Sequence, residues 1–117
     1  MANPLCHFEL MVGDPKKAQE FYGAIFNWQF DPEAMPGYTL VNAGAEPTGA
    51  MFKKPDHTPG VCANIYFQVP DIDTTLRKVG EGGGFVLVPK TEIPNVGHFA
   101  MFADPEGISI GLMQPSS

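Results

Sequence analysis

The sequence predicts an α+β domain made of two βαβββ modules, each a strand, a helix and three further strands. Pseudo-twofold symmetry would relate the modules, with curled antiparallel or mixed sheets forming a cleft and the helices outside. Three observations predict this. A constant offset of 57 residues carries His7 to Asn64, Val12 to Val69, Asp14 to Asp71, Gly23 to Gly80 and Trp28 to Phe85. Each half opens with a run of strand type, with alternate apolar side chains. Each such run then leads into an aspartate placed to cap a helix. The 117 residues fit one domain, with module 1 at about 5–54 and module 2 at about 61–114.

Along Cys6–Val12, Phe8, Leu10 and Val12 share one face, and His7, Glu9 and Met11 the other. Gly13-Asp14-Pro15 signals a helix start, with Asp14 as N-cap and Pro15 at the first helical position. Ala18, Phe21, Tyr22, Ile25 and Phe26 then make an apolar stripe expected to pack on the sheet, and Asn27 ends the helix. Strands are predicted at Trp28–Phe30, Tyr38–Val41 and Gly49–Phe52. A Pro- and Gly-containing loop from Pro55 to Gly60 separates the halves.

The second half begins with a strand over Cys62–Val69, with Ile65, Phe67 and Val69 on one face and Asn64, Tyr66 and Gln68 on the other. Asp71 opens a helix with the stripe Ile72, Leu76 and Val79. The glycines from Gly80 to Gly84 close it; a phosphate cradle would need them before a helix, after a strand. Phe85–Val88 follows. His98–Ala103 and Ile108–Met113 form a hairpin about Asp104-Pro105-Glu106-Gly107, a type I turn pattern. Pairing across four turn residues would set Phe102 opposite Ser109 and Ala100 opposite Gly111.

The formal charge of -6, with no basic run longer than two residues, argues against nucleic-acid binding and mildly against polyanionic ligands. Cys6 and Cys62 sit in apolar runs and read as reduced, buried thiols, without the Cys-x-x-Cys spacing of a zinc ribbon. The N-terminal stretch lacks a basic segment, and no apolar run approaches a membrane span. A cytoplasmic protein is expected, without membrane or nucleic-acid partners. The apolar sheet faces point to a homodimer.

The duplicated pattern resembles the vicinal oxygen chelate superfamily, which includes glyoxalases, bleomycin- and fosfomycin-resistance proteins, extradiol dioxygenases and methylmalonyl-CoA epimerases. The resemblance runs from Leu5 to Met113. It is carried by His7-Phe8-Glu9-Leu10-Met11-Val12-Gly13-Asp14 with Phe21-Tyr22, by Asn64–Asp73, and by Gly97–Gly107. It is nearest to the glyoxalase-like branch of undefined substrate. In metal-using members the resemblance implies two ligands from each half, one on its first strand and one on its last. His7 fills the first position. Asn64 stands at its counterpart, Gly111 at the usual carboxylate position, and Gly49–Phe52 offers no donor, with Glu46 in the preceding turn. One filled position of four disfavours a catalytic divalent metal, so none of these residues is assigned as a metal ligand and no cofactor is expected.

The cleft is then expected to bind a small molecule, polar-aromatic or dicarbonyl-like, against Asn64, Tyr66, Gln68, His98, Phe102 and Ser109. His7 and Glu9, two apart on one strand face, form the candidate acid–base pair and could share a hydrogen bond. His57 reads as a solvated loop residue. Two alternatives stand beside this reading. One is a metal-dependent lyase, isomerase or dioxygenase whose site a second chain completes. The other is a binding or interaction module without catalysis.

Overall fold

The computed structural model describes residues 2–55 and 63–116; His57 and Cys62 lie outside them. The described chain is α+β, with eight strands and two helices. It divides into two compact units, His7–Asn64 and the remainder.

The unit His7–Asn64 holds β1 (Leu5–Val12, from His7 on), α1 (Pro15–Phe26), β2 (Gln29–Met35), β3 (Tyr38–Asn42) and β4 (Thr48–Lys53). Its strands run in the order β2-β3-β4-β1. β1 and β4 are parallel, with His7 opposite Thr48, and the other pairs are antiparallel. Asp14 caps α1 as expected, its carboxylate accepting from the N–H groups of Lys16 and Lys17 at 3.1 and 3.3 Å. Asn27, at φ 60°, turns the chain out of the helix.

The apolar stripe of α1 packs differently from the expectation. No residue of the helix is buried, and Phe21, Ile25 and Phe26 are each more than half exposed. Tyr22 stacks on Trp28, which in turn meets Phe8 of β1. Gln19 reaches Thr39 of β3, so the sheet-facing line runs through Gln19, Tyr22 and Gly23. A Cβ at Gly23 would lie 3.3 Å from the Phe30 ring. That close approach turns the inward face away from Phe21 and Ile25.

The other unit contains β5 (Ala63–Gln68), α2 (Ile72–Glu81), β6 (Phe85–Ile93), β7 (Gly97–Ala103) and β8 (Ser109–Pro115), with the first two residues of β5 counted in the His7–Asn64 unit. The strand order β5-β8-β7-β6 repeats the topology of the first unit, with β5 and β8 parallel. Val69, Ile72, Ala100 and Leu112 form its core, with Leu76 and Phe102 packed against them. β6 runs five residues beyond the expected Val88, through shifts in register around Pro89.

The β7–β8 register corrects the expectation by one residue. Ala103, not Phe102, pairs with Ser109, and Met101, not Ala100, with Gly111. The type I turn does form, with Gly107 N–H donating to Asp104 C=O at 2.9 Å. Gly107 then sits at φ 92°, and Ile108 joins the loop as Asp104 accepts from the N–H groups of Glu106 and Ile108. This is a turn followed by a left-handed glycine, which adds one residue to the loop. A one-residue slip moves every side chain to the other face.

Candidate functional site

β1 projects His7 and Glu9 to one face, as period-two geometry requires. Tyr38 at the start of β3, Thr48 at the start of β4 and Asn64 on β5 meet them there. His7 Nδ1 lies 2.7 Å from Thr48 Oγ1, and His7 Nε2 lies 2.9 Å from the Tyr38 hydroxyl. Tyr38 donates to Glu9 Oε2 at 2.5 Å, and Asn64 Nδ2 donates to Glu9 Oε1 at 3.1 Å. Five side chains, from positions far apart in sequence, thus form one hydrogen-bonded chain. The bond expected between His7 and Glu9 runs through Tyr38.

Glu9 is only 8% exposed. An isolated buried carboxylate would be costly, but charge-assisted bonds to both oxygens offset that cost. His7 is half-buried, and its imidazole is held below the usual histidine range, chiefly because burial penalises the charged ring; the nearby Glu9 charge opposes this. Burial thus favours the neutral ring over the imidazolium.

His7 and Thr48 also line an open groove of about 870 Å³ within the same unit. Leu40 and Asn42 lie on the Tyr38 side of β3 by alternation, and their β2 partners are Asp31 and Gln29. The loop from Ala43 to Pro47 forms a wall, and Glu46, expected only in a turn, contributes to it. No lysine or arginine is among the lining residues, which include two carboxylates, Asp31 and Glu46.

The other expected ligand-binding residues are distributed more widely. Asn64 joins the Glu9 carboxylate. Tyr66 is buried over Gly111. Gln68 is exposed at the end of β5. Ser109 and Gly111 share the Tyr66 face, but the corrected register puts His98, Ala100 and Phe102 on the opposite one. That face belongs to α2. Phe102 packs against the core cluster, and Gln114, paired with His98, accepts from the Ile72 N–H at 2.8 Å. Sequence reading did not single out Tyr38 or Thr48. The signal that finds Thr48 is its parallel pairing with His7, which cannot be read before the strands are placed.

The second unit repeats the topology without the chemistry. His7 pairs with Thr48, 41 positions on, whereas Tyr66 pairs with Gly111, 45 positions on. The corresponding registers place Asn64, Tyr66, Phe99 and Ser109 where the first unit has His7, Glu9, Tyr38 and Thr48. Among the described residues, no three or more His, Cys, Asp or Glu side chains form a group that could hold a metal ion. No described helix is long and apolar enough to cross a membrane.

Residues 5–112 match the family model of the Glyoxalase/Bleomycin resistance protein/Dioxygenase superfamily. CFP32 of Mycobacterium tuberculosis, which carries the name glyoxylase, is 31% identical over 113 residues, covering 91% of this chain and 43% of its own length. The anthracycline biosynthesis protein DauV of a Streptomyces species is 25% identical, over 90% of this chain and 44% of that protein. The chain thus spans less than half the length of these curated relatives. Methylmalonyl-CoA epimerase from Mycobacterium tuberculosis shares the fold, with a TM-score of 0.75 at 17% identity, covering 97% of this chain and 88% of that one. With nearly its whole length matched, the chain belongs to the glyoxalase/bleomycin resistance protein/dioxygenase superfamily.

Proposed function

We propose that this chain binds a small organic molecule in the groove beside His7 and acts on it by metal-independent acid–base chemistry through His7 and Glu9. The observation that carries this reading is the chain Thr48–His7–Tyr38–Glu9–Asn64, which opens on the groove at His7 and Thr48. Its chemistry fits proton transfer better than metal binding. Both ring nitrogens of His7 have protein hydrogen-bond partners, and both oxygens of Glu9 receive donors. A divalent ion would have to displace several of these bonds while finding further ligands.

The groove combines an apolar floor at Leu40 with polar groups from Gln29, Asn42 and Thr48, the mixture small-molecule sites use. The Asp31 and Glu46 carboxylates disfavour an anionic ligand and leave neutral or amine-bearing molecules, including dicarbonyls. A relative named for anthracycline biosynthesis is in keeping with an organic ligand. We also propose a cytoplasmic homodimer, supported by the exposed Phe21, Ile25 and Phe26 on α1 and Phe85, Val86 and Leu87 on β6.

A thermal-shift screen of neutral, cationic and anionic compounds, among them dicarbonyls and aromatic alcohols, tests the reading. Hits should be neutral or cationic, and His7→Ala should weaken them at least tenfold. Equal binding to His7→Ala removes His7 from the site. Stoichiometric zinc, nickel, manganese or iron in protein purified without chelator or histidine tag refutes the metal-free part, and light scattering tests the dimer.

A further inference from the structure

A phenol carries one hydrogen, and the Tyr38 hydroxyl lies between two partners. Its oxygen is 2.5 Å from Glu9 Oε2 and 2.9 Å from His7 Nε2. A carboxylate only accepts, so the Tyr38 hydrogen goes to Glu9, and the oxygen is left to accept from His7. Nε2 must then carry the ring hydrogen. In a neutral ring Nδ1 is a bare lone pair, so Thr48, 2.7 Å away, must be its donor.

We propose that Tyr38 is a positioning residue: it fixes His7 as the Nε2–H tautomer and so keeps Nδ1, beside the groove, ready to accept a proton. The catalytic consequence rests on the groove being the ligand site; the tautomer itself does not. A ligand with an acidic O–H, N–H or activated C–H replaces the Thr48 hydroxyl at Nδ1. Its proton moves to Nδ1, and the bonding electron pair stays on the ligand. The Nε2 proton passes to the Tyr38 oxygen as the Tyr38 proton passes to Glu9 Oε2. One proton leaves the ligand, one arrives on Glu9, and His7 ends as the neutral Nδ1–H tautomer. The route never forms an imidazolium, the species that burial of His7 disfavours. Tyr38 lies 31 residues from His7, and only strand pairing joins them.

The tautomer can be read without any ligand. In the full chain labelled with 15N-histidine, two-bond proton–nitrogen correlation shows which ring nitrogen bears hydrogen, and His7→Gln assigns the signal. Wild-type His7 should show a protonated Nε2 and a bare Nδ1. Thr48→Val should keep that pattern, because Tyr38 sets it. Tyr38→Phe should lose it, with both tautomers populated. An Nδ1–H or averaged ring in the wild type overturns the proposal. So does a switch to Nδ1–H in Thr48→Val, or an unchanged pattern in folded Tyr38→Phe. If Tyr38→Phe does not fold, the wild-type and Thr48→Val spectra decide. A ligand screen without hits leaves this result untouched, and a wrong tautomer leaves ligand binding untouched, so the two ideas fail separately.

Discussion

Gly111 stands where the family resemblance places a carboxylate, and the structure shows what a side chain there would meet. A Cβ built on Gly111 falls among the ring atoms of Tyr66, its partner in the parallel β5–β8 pair. Tyr66 is only 6% exposed, so its ring has little room to yield. Overpacking of this kind costs about 1–3 kcal/mol. Replacing glycine in a strand returns about 0.5–1 kcal/mol through the unfolded chain. The expected net effect of Gly111→Ala is a loss centred on about 1 kcal/mol, or a fall in Tm of roughly 4 °C for a domain of this size. Urea unfolding followed by circular dichroism measures it. The cause is isolated by repeating the substitution in a Tyr66→Ala background, where the ring is gone and the penalty should vanish. Gly111→Ala as stable as wild type, or a penalty that survives Tyr66→Ala, would refute the steric account. Installing a glutamate at 111 should be costlier still, which separates this β8 from one built to carry a metal ligand.

Acidification should reveal the cost of charging the half-buried His7. Its folded-state value is depressed, so the unfolded chain takes up the proton first. The related stability is therefore complete above about pH 6.5 and is lost as pH falls through the lower folded-state value. Urea midpoints at pH 7.5 and 5.5 should differ less in His7→Gln than in wild type; equal slopes contradict this. Glu9→Ala leaves the Tyr38 and Asn64 donors without their acceptor and should cost about 1–3 kcal/mol in urea unfolding. No loss would mean that the carboxylate is not integral to the chain of bonds. Gly107→Ala forces an L side chain to φ 92° and should cost about 1 kcal/mol, whereas an unchanged midpoint would show that another loop geometry serves.

Much of the fold was legible because local signals and repetition agreed. Asp14 with Pro15, and Asp71, mark helices that begin where those signals place them. The 57-residue offset carries Pro15 of α1 to Ile72 of α2. It fails later because the second unit reaches its last strand four positions further on, at a loop whose length no helix cap reports. The hairpin register failed for a related reason. Asp104-Pro105-Glu106-Gly107 fixes the turn type, but the left-handed Gly107 brings Ile108 into the loop, and the pairing shifts by one. His98 and Phe102 therefore lie together on the face opposite Ser109, not beside it. The face of His7 and Glu9 was legible because alternation within one strand needs no knowledge of its neighbours. Tyr38 was not, because its contact with His7 depends on how β3 pairs with β4 and β4 with β1.

The two units make the same backbone with different polar groups, and this argues that the hydrogen-bonded chain is not a requirement of the topology. Phe99 and Tyr66 hold the places of Tyr38 and Glu9 in the second unit, and there the strands pair as well with aromatic side chains as with a carboxylate. A buried ion is rarely the more stable choice where apolar packing will serve. Its retention at Glu9, with a donor on each oxygen and a neutral imidazole linked through a phenol, incurs a desolvation cost that the neighbouring architecture shows to be avoidable. The proton-transfer role proposed above would account for that cost, and it makes His7, which lines the groove, together with Tyr38 and Glu9 bonded behind it, the side chains to substitute first.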